Sequence, residues 1–254
     1  MYRVTIIPIL NDNYSYLVHD TQSQQTAVVD PALSQPVLDV LAANGWQLNF
    51  IFNTHHHGDH VGGNLELKQK TGCKVVAAEA DRHRIPGYDM GVNDNDVVML
   101  GNLAARIIAT PGHTSGHIVY YFADHGLLFC GDTLFSLGCG RLFEGSAKQL
   151  WQSLQKLKGL PSATRVYFAH EYTQANGRFA LSVEPDNLAL QQRIAAVRQL
   201  RANGQPTLPS TIAQERATNP FFREDSTALQ KTIGMAGKSA LDVFTRLREL
   251  KDNF

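Results

Sequence analysis

The chain has 254 residues, and 43% of them are hydrophobic, enough to bury a sizeable core in one large domain or in a main domain with a small companion. Lys plus Arg is 23 and Asp plus Glu is 23, so the formal net charge is zero. The basic excess of a nucleic-acid binder is missing, and a charged ligand has to be met by a local patch. No apolar run nears the ~20 residues that span a bilayer, and the apolar run in the opening MYRVTIIPILNDNYSY is too short for a secretory signal. The expected setting is the cytoplasm, with no membrane and no nucleic-acid partner.

Residues 2–10 and 14–18 read as strands, with NDN as the turn between them. A short strand at 26–30 is closed by Asp30-Pro31. Residues 35–44 read as a helix, with Pro36 in its first turn and Gly45 as its stop. An apolar strand at 50–54 runs straight into HHHGDHVGG; a helix over about 63–71, ended by Gly72, and a strand at 74–78 follow. Strands at 97–100 and 104–109 deliver the loop TPGHTSGH. Two more, at 118–122 and 127–130, lead to Gly131-Asp132. An amphipathic helix is expected over 147–158, and a strand at 165–169 ends at His170-Glu171-Tyr172. Beyond about 177 the pattern turns helical. Residues 185–202 put Leu188, Ile194, Val197 and Leu200 on one face, and a last helix over about 238–250 does so with Leu241, Phe244, Leu247 and Leu250. This predicts a mixed α/β domain over 1–175 and a small helical domain over 176–254. The two halves of the first look alike in strand order, which hints at a duplicated sandwich.

Three cysteines, Cys73, Cys130 and Cys139, are odd in number and form no C-x-x-C, which argues against a disulfide framework or a Cys-rich zinc site. The unusual count is His, at 10, with four inside residues 55–60. Strand after strand ends in a potential metal ligand: 50–54 in His55, 104–109 near His113, 127–130 in Asp132 and 165–169 in His170. A lone His at a strand end is more often a satisfied surface or core residue; four in six positions are another matter. In an extended segment His55 and His57 point the same way, while Asp59 and His60 sit where the chain turns into a helix. Gly62 and Gly63 let the backbone pass close to the site. One tetrahedral ion that keeps a water needs three protein ligands. His55, His57, Asp59, His60, His113, Asp132 and His170 make seven, which suits two ions sharing a carboxylate. Imidazole and carboxylate donors fit Zn, and also Fe or Mn. His56 alternates away from its neighbours and reads as a residue that supports the ligands from behind or packs, His117 as structural, Cys130 as core, and Asp30 as an orienter of the ligand loop. His19, His83 and His125 have no supporting context.

The order T-H-x-H-x-D-H, G-H-T, G-D-T and a strand-borne His resembles the metallo-β-lactamase superfamily. Within it, CGDTLFSLGCGRLFEGS (130–146), HEYT (170–173), NPFFR (219–223) and the terminal RELKDNF resemble the glyoxalase II, or hydroxyacylglutathione hydrolase, family along essentially the whole chain. The resemblance implies an αββα sandwich with a binuclear site at one edge. It implies one ion on His55, His57 and His113, the other on Asp59, His60 and His170, and Asp132 as the bridge. Asp59 would also be the residue placed to steer the hydroxide; sequence does not separate that role from ligation. Arg141, Phe143, Tyr172, Arg248 and Lys251 would hold glutathione. The implied reaction is hydrolysis of S-D-lactoylglutathione to D-lactate and glutathione by a monomer, in methylglyoxal detoxification. Two departures stand out: Gly58 replaces a frequent His, and Phe143 lacks the hydroxyl that some members carry as Tyr.

On spacing alone Arg248 and Lys251 read first as a solvated basic face of a terminal helix, and it is the resemblance that turns them into substrate anchors. Rival functions within the fold are a mononuclear-iron persulfide dioxygenase, a β-lactamase and a ribonuclease. Outside catalysis the rival is a metal-stabilised interaction module.

Overall fold

The computed structural model describes Met1–Phe254 and divides into two units, Met1–Ala109 with Gly116–Gly131, and Thr110–Ser115 with Asp132–Phe254. The first unit opens with strands β1 (Tyr2–Ile9), β2 (Asn13–Asp20) and β3 (Thr26–Val29), followed by helix α1 (Gln35–Asn44) and β4 (Leu48–Phe52). Two short helices, α2 (Gly58–Val61) and α3 (Asn64–Thr71), lead to β5 (Lys74–Ala78) and β6 (Tyr88–Val92). A run of four strands completes it: β7 (Val97–Leu100), β8 (Leu103–Ala109), β9 (Ile118–Phe122) and β10 (Leu127–Gly131).

β1 to β6 form one sheet in sequence order, antiparallel from β1 to β3 and parallel from β3 to β6. β7 to β10 pair antiparallel throughout. The resemblance in strand order between the halves therefore does not extend to pairing. The two sheets share an aromatic core: Phe52 of β4 stacks on Tyr120 of β9 at 4.8 Å and 8°, and Tyr16 of β2 meets Phe129 of β10 at 5.4 Å. Tyr120 has a hydroxyl to satisfy even there, and it donates to the carbonyls of Asn53 and Val76. On the outer face of the first sheet, Val37 and Leu41 of α1 and Leu67 of α3 pack against Val28, Ile51 and Val75. α1 ends as its sequence dictates, with Gly45 in the left-handed region at φ 66°.

The second unit holds the small hairpin β11 (Leu134–Phe135) and β12 (Gly138–Cys139), helix α4 (Ala147–Lys158), strand β13 (Arg165–Phe168), and α5 (Thr173–Val183) and α6 (Leu188–Ala202). Strand β14 (Ser210–Thr211) and helices α7 (Ile212–Thr218), α8 (Thr227–Thr232) and α9 (Ala240–Asp252) follow. α4 starts at a capping box between Ser146 and Gln149 and buries Leu150, Leu154 and Leu157. α6 starts at residue 188, capped by Asn187; Leu188, expected in its core stripe, is exposed because it is the first helical residue. The buried stripe of α9 is Val243, Phe244, Leu247 and Arg248. The arginine belongs to the packed face, so the solvated-face alternative does not describe it.

Candidate metal centre

In the first unit β4 ends three residues before His55. Past Phe52 the chain is irregular, and the donors crowd. His55 Nε2 and His57 Nδ1 stand 3.0 Å apart, the ring centroids of His55 and His60 lie 4.1 Å apart, and Asp59 Oδ2 is 3.6 Å from His60 Nε2. Gly62 and Gly63 make this turn possible, through contact with Pro31–Leu33 rather than with the donors. A Cβ on Gly62 would sit 2.5 Å from the Ala32 carbonyl oxygen, and one on Gly63 would sit 2.9 Å from that of Pro31.

Asp30 organises the cluster. Its carboxylate, in a residue only 3% exposed, accepts from the Thr54 amide (2.8 Å), the Thr54 hydroxyl (2.7 Å) and His60 Nδ1 (3.1 Å). Since the Thr54 hydroxyl donates to Asp30, its oxygen accepts from His55 Nδ1 at 3.0 Å. Both rings are thereby held with hydrogen on Nδ1 and a lone pair on Nε2, as a metal ligand requires. Asn13, which sequence read only as part of a turn, donates to Asp59 Oδ2 at 3.0 Å. His56 turns away from the donors, as alternation predicts, to Asp81 at 3.3 Å. His117 is buried and stacks on the His55 ring at 4.9 Å.

In the second unit His113, Asp132 and His170 come together. Asp132 Oδ2 is 3.4 Å from His113 Nε2 and 3.4 Å from His170 Nε2. His113 Nδ1 lies 2.9 Å from the Arg141 carbonyl; a carbonyl only accepts, so this ring too keeps its Nε2 lone pair. The Tyr172 ring lies flat on His170 at 4.8 Å and 2°, and the Phe143 ring meets His113 edge-on at 5.1 Å. Without a hydroxyl, Phe143 acts here by packing, and it stays 64% exposed. A cavity of about 420 Å³ is lined by His113 and Asp132, by Phe135, Phe143 and Tyr172, and by the cations Arg141, Arg248 and Lys251. Lys251 is held below the usual lysine range by burial and by the Arg248 and Arg141 charges.

Within the first unit the ligand atoms of His55 and His57, and of Asp59 and His60, lie 3.0 and 3.6 Å apart, and within the second Asp132 lies 3.4 Å from both His113 and His170. The donor set fits a divalent ion. Two ligands on one tetrahedral zinc are roughly 3.3 Å apart when each bond is about 2.0–2.1 Å, close to the observed separations.

The sequence comparisons agree with this donor chemistry. A family model described as Metallo-beta-lactamase superfamily matches residues 10–170, and one described as Hydroxyacylglutathione hydrolase C-terminus matches residues 171–254. The chain is 54% identical to a hydroxyacylglutathione hydrolase of Methylococcus capsulatus, over 100% of this chain and 99% of that one. It is 51% identical to a hydroxyacylglutathione hydrolase of Rhodospirillum rubrum, over 98% and 97%. Among solved structures it is similar to the crystal structure of ETHE1 from Myxococcus xanthus, with a TM-score of 0.70, 27% identity, and coverage of 98% of this chain and 90% of that one. No helix is long and apolar enough to cross a membrane. With its mixed α/β metallo-β-lactamase fold and its helical C-terminal part, the chain belongs to the hydroxyacylglutathione hydrolase family of the metallo-β-lactamase superfamily.

Proposed function

We propose that the chain hydrolyses S-D-lactoylglutathione and related 2-hydroxyacyl-glutathione thioesters to the 2-hydroxy acid and glutathione, using two divalent metal ions, zinc in first place. His55, His57 and His113 are assigned to one ion, Asp59, His60 and His170 to the other, and Asp132 to both. The observation that carries this assignment is the single cavity in which His113 and Asp132 share walls with Arg141, Arg248 and Lys251. Glutathione carries two carboxylates, and a cationic wall beside a metal-ligating one suits an anionic thioester.

When bound, the ions supply hydroxide at neutral pH and offset charge developing on the thioester oxygen. The protein does the rest. Arg141 and Lys251 bind carboxylates remote from the reacting carbon, and Phe143 and Tyr172 pack against the glutathione part beside them. Asp30, Thr54 and the Arg141 carbonyl hold the ligand rings as Nδ1–H tautomers. Water, having given up one proton to become hydroxide, bonds through its oxygen to the acyl carbon; the carbon–sulfur bond breaks with its electron pair on sulfur, the sulfur leaves as a thiolate, and the new carboxylic acid releases its remaining proton to solvent. Its conjugate acid has a pKa of roughly 8.5, so departure needs no proton donor from the chain. The helical segment 176–254 is assigned to substrate binding.

The test is loss of thioester absorbance on adding lactoylglutathione. Chelated protein is expected to be inactive and to recover with Zn, Mn or Fe; full turnover by metal-free material overturns the proposal. Oxygen uptake with glutathione persulfide would point to the dioxygenase instead.

Lys251→Ala is expected to raise KM about tenfold, equivalent to ~1.4 kcal/mol of binding, with little change in kcat, because the contact is equal in ground and transition states. In the parent protein KM is expected to climb on the alkaline side, beginning below the free-lysine range, as the cation that binds the carboxylate loses its proton. Steady-state kinetics against pH would show that limb, and its persistence in the variant would remove Lys251 from the site.

A further inference from the structure

Arg248 lines the cavity, yet its side chain is 4% exposed and its guanidinium is committed to protein on two sides. Its Nε and Nη2 donate to Asp252 Oδ1 at 3.1 and 2.7 Å, which fixes the side chain one turn along α9. Its Nη1 donates to the Cys139 carbonyl at 3.1 Å and approaches the Gly140 carbonyl at 3.4 Å. The next carbonyl along, that of Arg141, is the acceptor for His113 Nδ1 at 2.9 Å. The strap between them has no slack. A Cβ on Gly140 would sit 2.0 Å from the Asp132 carbonyl oxygen and 3.2 Å from His113 Nδ1. The Gly140 amide donates to the Thr133 carbonyl at 3.3 Å.

We infer that Arg248, beyond the hydrolase reading on which this rests, is a positioning residue for the metal ligand His113: its grip on Cys139–Gly140 sets the Arg141 carbonyl that aims the ring. A cation read from sequence as a substrate anchor thus also acts through the backbone on the ligand set. Cys139 beside it stays a protonated thiol, pushed up to about 11 by burial, so the contact that matters is to its carbonyl. Partners that orient a ligating histidine typically govern metal affinity by 10–100-fold.

The experiment titrates metal-free full-length chain with Zn(II) against a competing chelator and records the ligand-field bands of the Co(II) form. R248A is expected to weaken ion binding about tenfold and to shift those bands. R248K and D252N are expected to do the same to a smaller extent, and K251A to change neither. Wild-type affinity and bands in R248A overturn the inference. If R248A fails to fold, wild-type values in both R248K and D252N overturn it. A metal-loaded parent protein that does not hydrolyse lactoylglutathione would defeat the proposed reaction while leaving this titration readable.

Discussion

Asp30→Ala is expected to strip the protein of metal and destabilise it together. One carboxylate receives two hydrogen bonds from Thr54 and one from His60 Nδ1, and through the Thr54 hydroxyl it also fixes His55. Truncation leaves a buried amide, a hydroxyl and a ring N–H without their acceptor, in a region where Thr54, His55 and His60 are 0%, 1% and 1% exposed. Breaking a buried charged network of this kind costs about 3 kcal/mol. In a chain of this size that lowers the melting temperature by roughly 10 °C. The orienting effect is separable: loss of a ligand's partner weakens metal binding about 10–100-fold. Thermal melts of chelated protein measure the first effect, and metal per chain after dialysis the second. Asp30→Asn keeps the volume but offers one acceptor oxygen, so it is expected to fall between. A wild-type melt and full metal retention in Asp30→Ala would mean that the ligand loop holds itself.

That the sequence announced Asp30 at all is due to its place at the end of β3, next to a proline, where a carboxylate has few ordinary reasons to be. The seven donors were legible for a similar reason: four crowd into six positions, and the rest stand at or just beyond β8, β10 and β13, where the chain leaves a sheet. Helices with plain start and stop signals, such as α1 between Pro36 and Gly45, were equally readable. What escaped was set by contacts distant in sequence. α5 was not predicted, because TQANGRFALSV buries Asn176 and Gly177 on its inner face and lacks a capping side chain. β6 was missed because YDMGV is short, polar and interrupted by Gly91, and pairs only along β5. Asn13 gave no local sign of reaching Asp59, 46 residues away. Spacing alone left Arg248 open to a solvated reading, because charge at helical spacing predicts an outer face. Only the fold supplies the carbonyls of Cys139 and Gly140 that make burial tolerable.

Asp132→Asn should produce the largest loss of turnover of any single change, about 10³-fold in kcat, or ~4 kcal/mol of barrier. Asp132 is 6% exposed, and one of its oxygens is equidistant at 3.4 Å from the metal-facing nitrogens of two histidines. That is where a shared carboxylate has to stand if His113 and His170 serve different ions. An amide matches the shape but removes the negative charge and one acceptor oxygen, so two cations close together lose the anion that offsets their repulsion. The expected signature is specific: metal content falls toward one ion per chain, while the chelated protein melts no lower than the parent. Replacing Asp59, 41% exposed at its side chain and supported by Asn13, should be milder, because that site keeps two histidines. Elemental analysis of the dialysed variants beside single-turnover hydrolysis distinguishes these cases. If Asp132→Asn keeps two ions and turns over within threefold of the parent, the carboxylate is not shared, and the two histidines facing it belong to one ion.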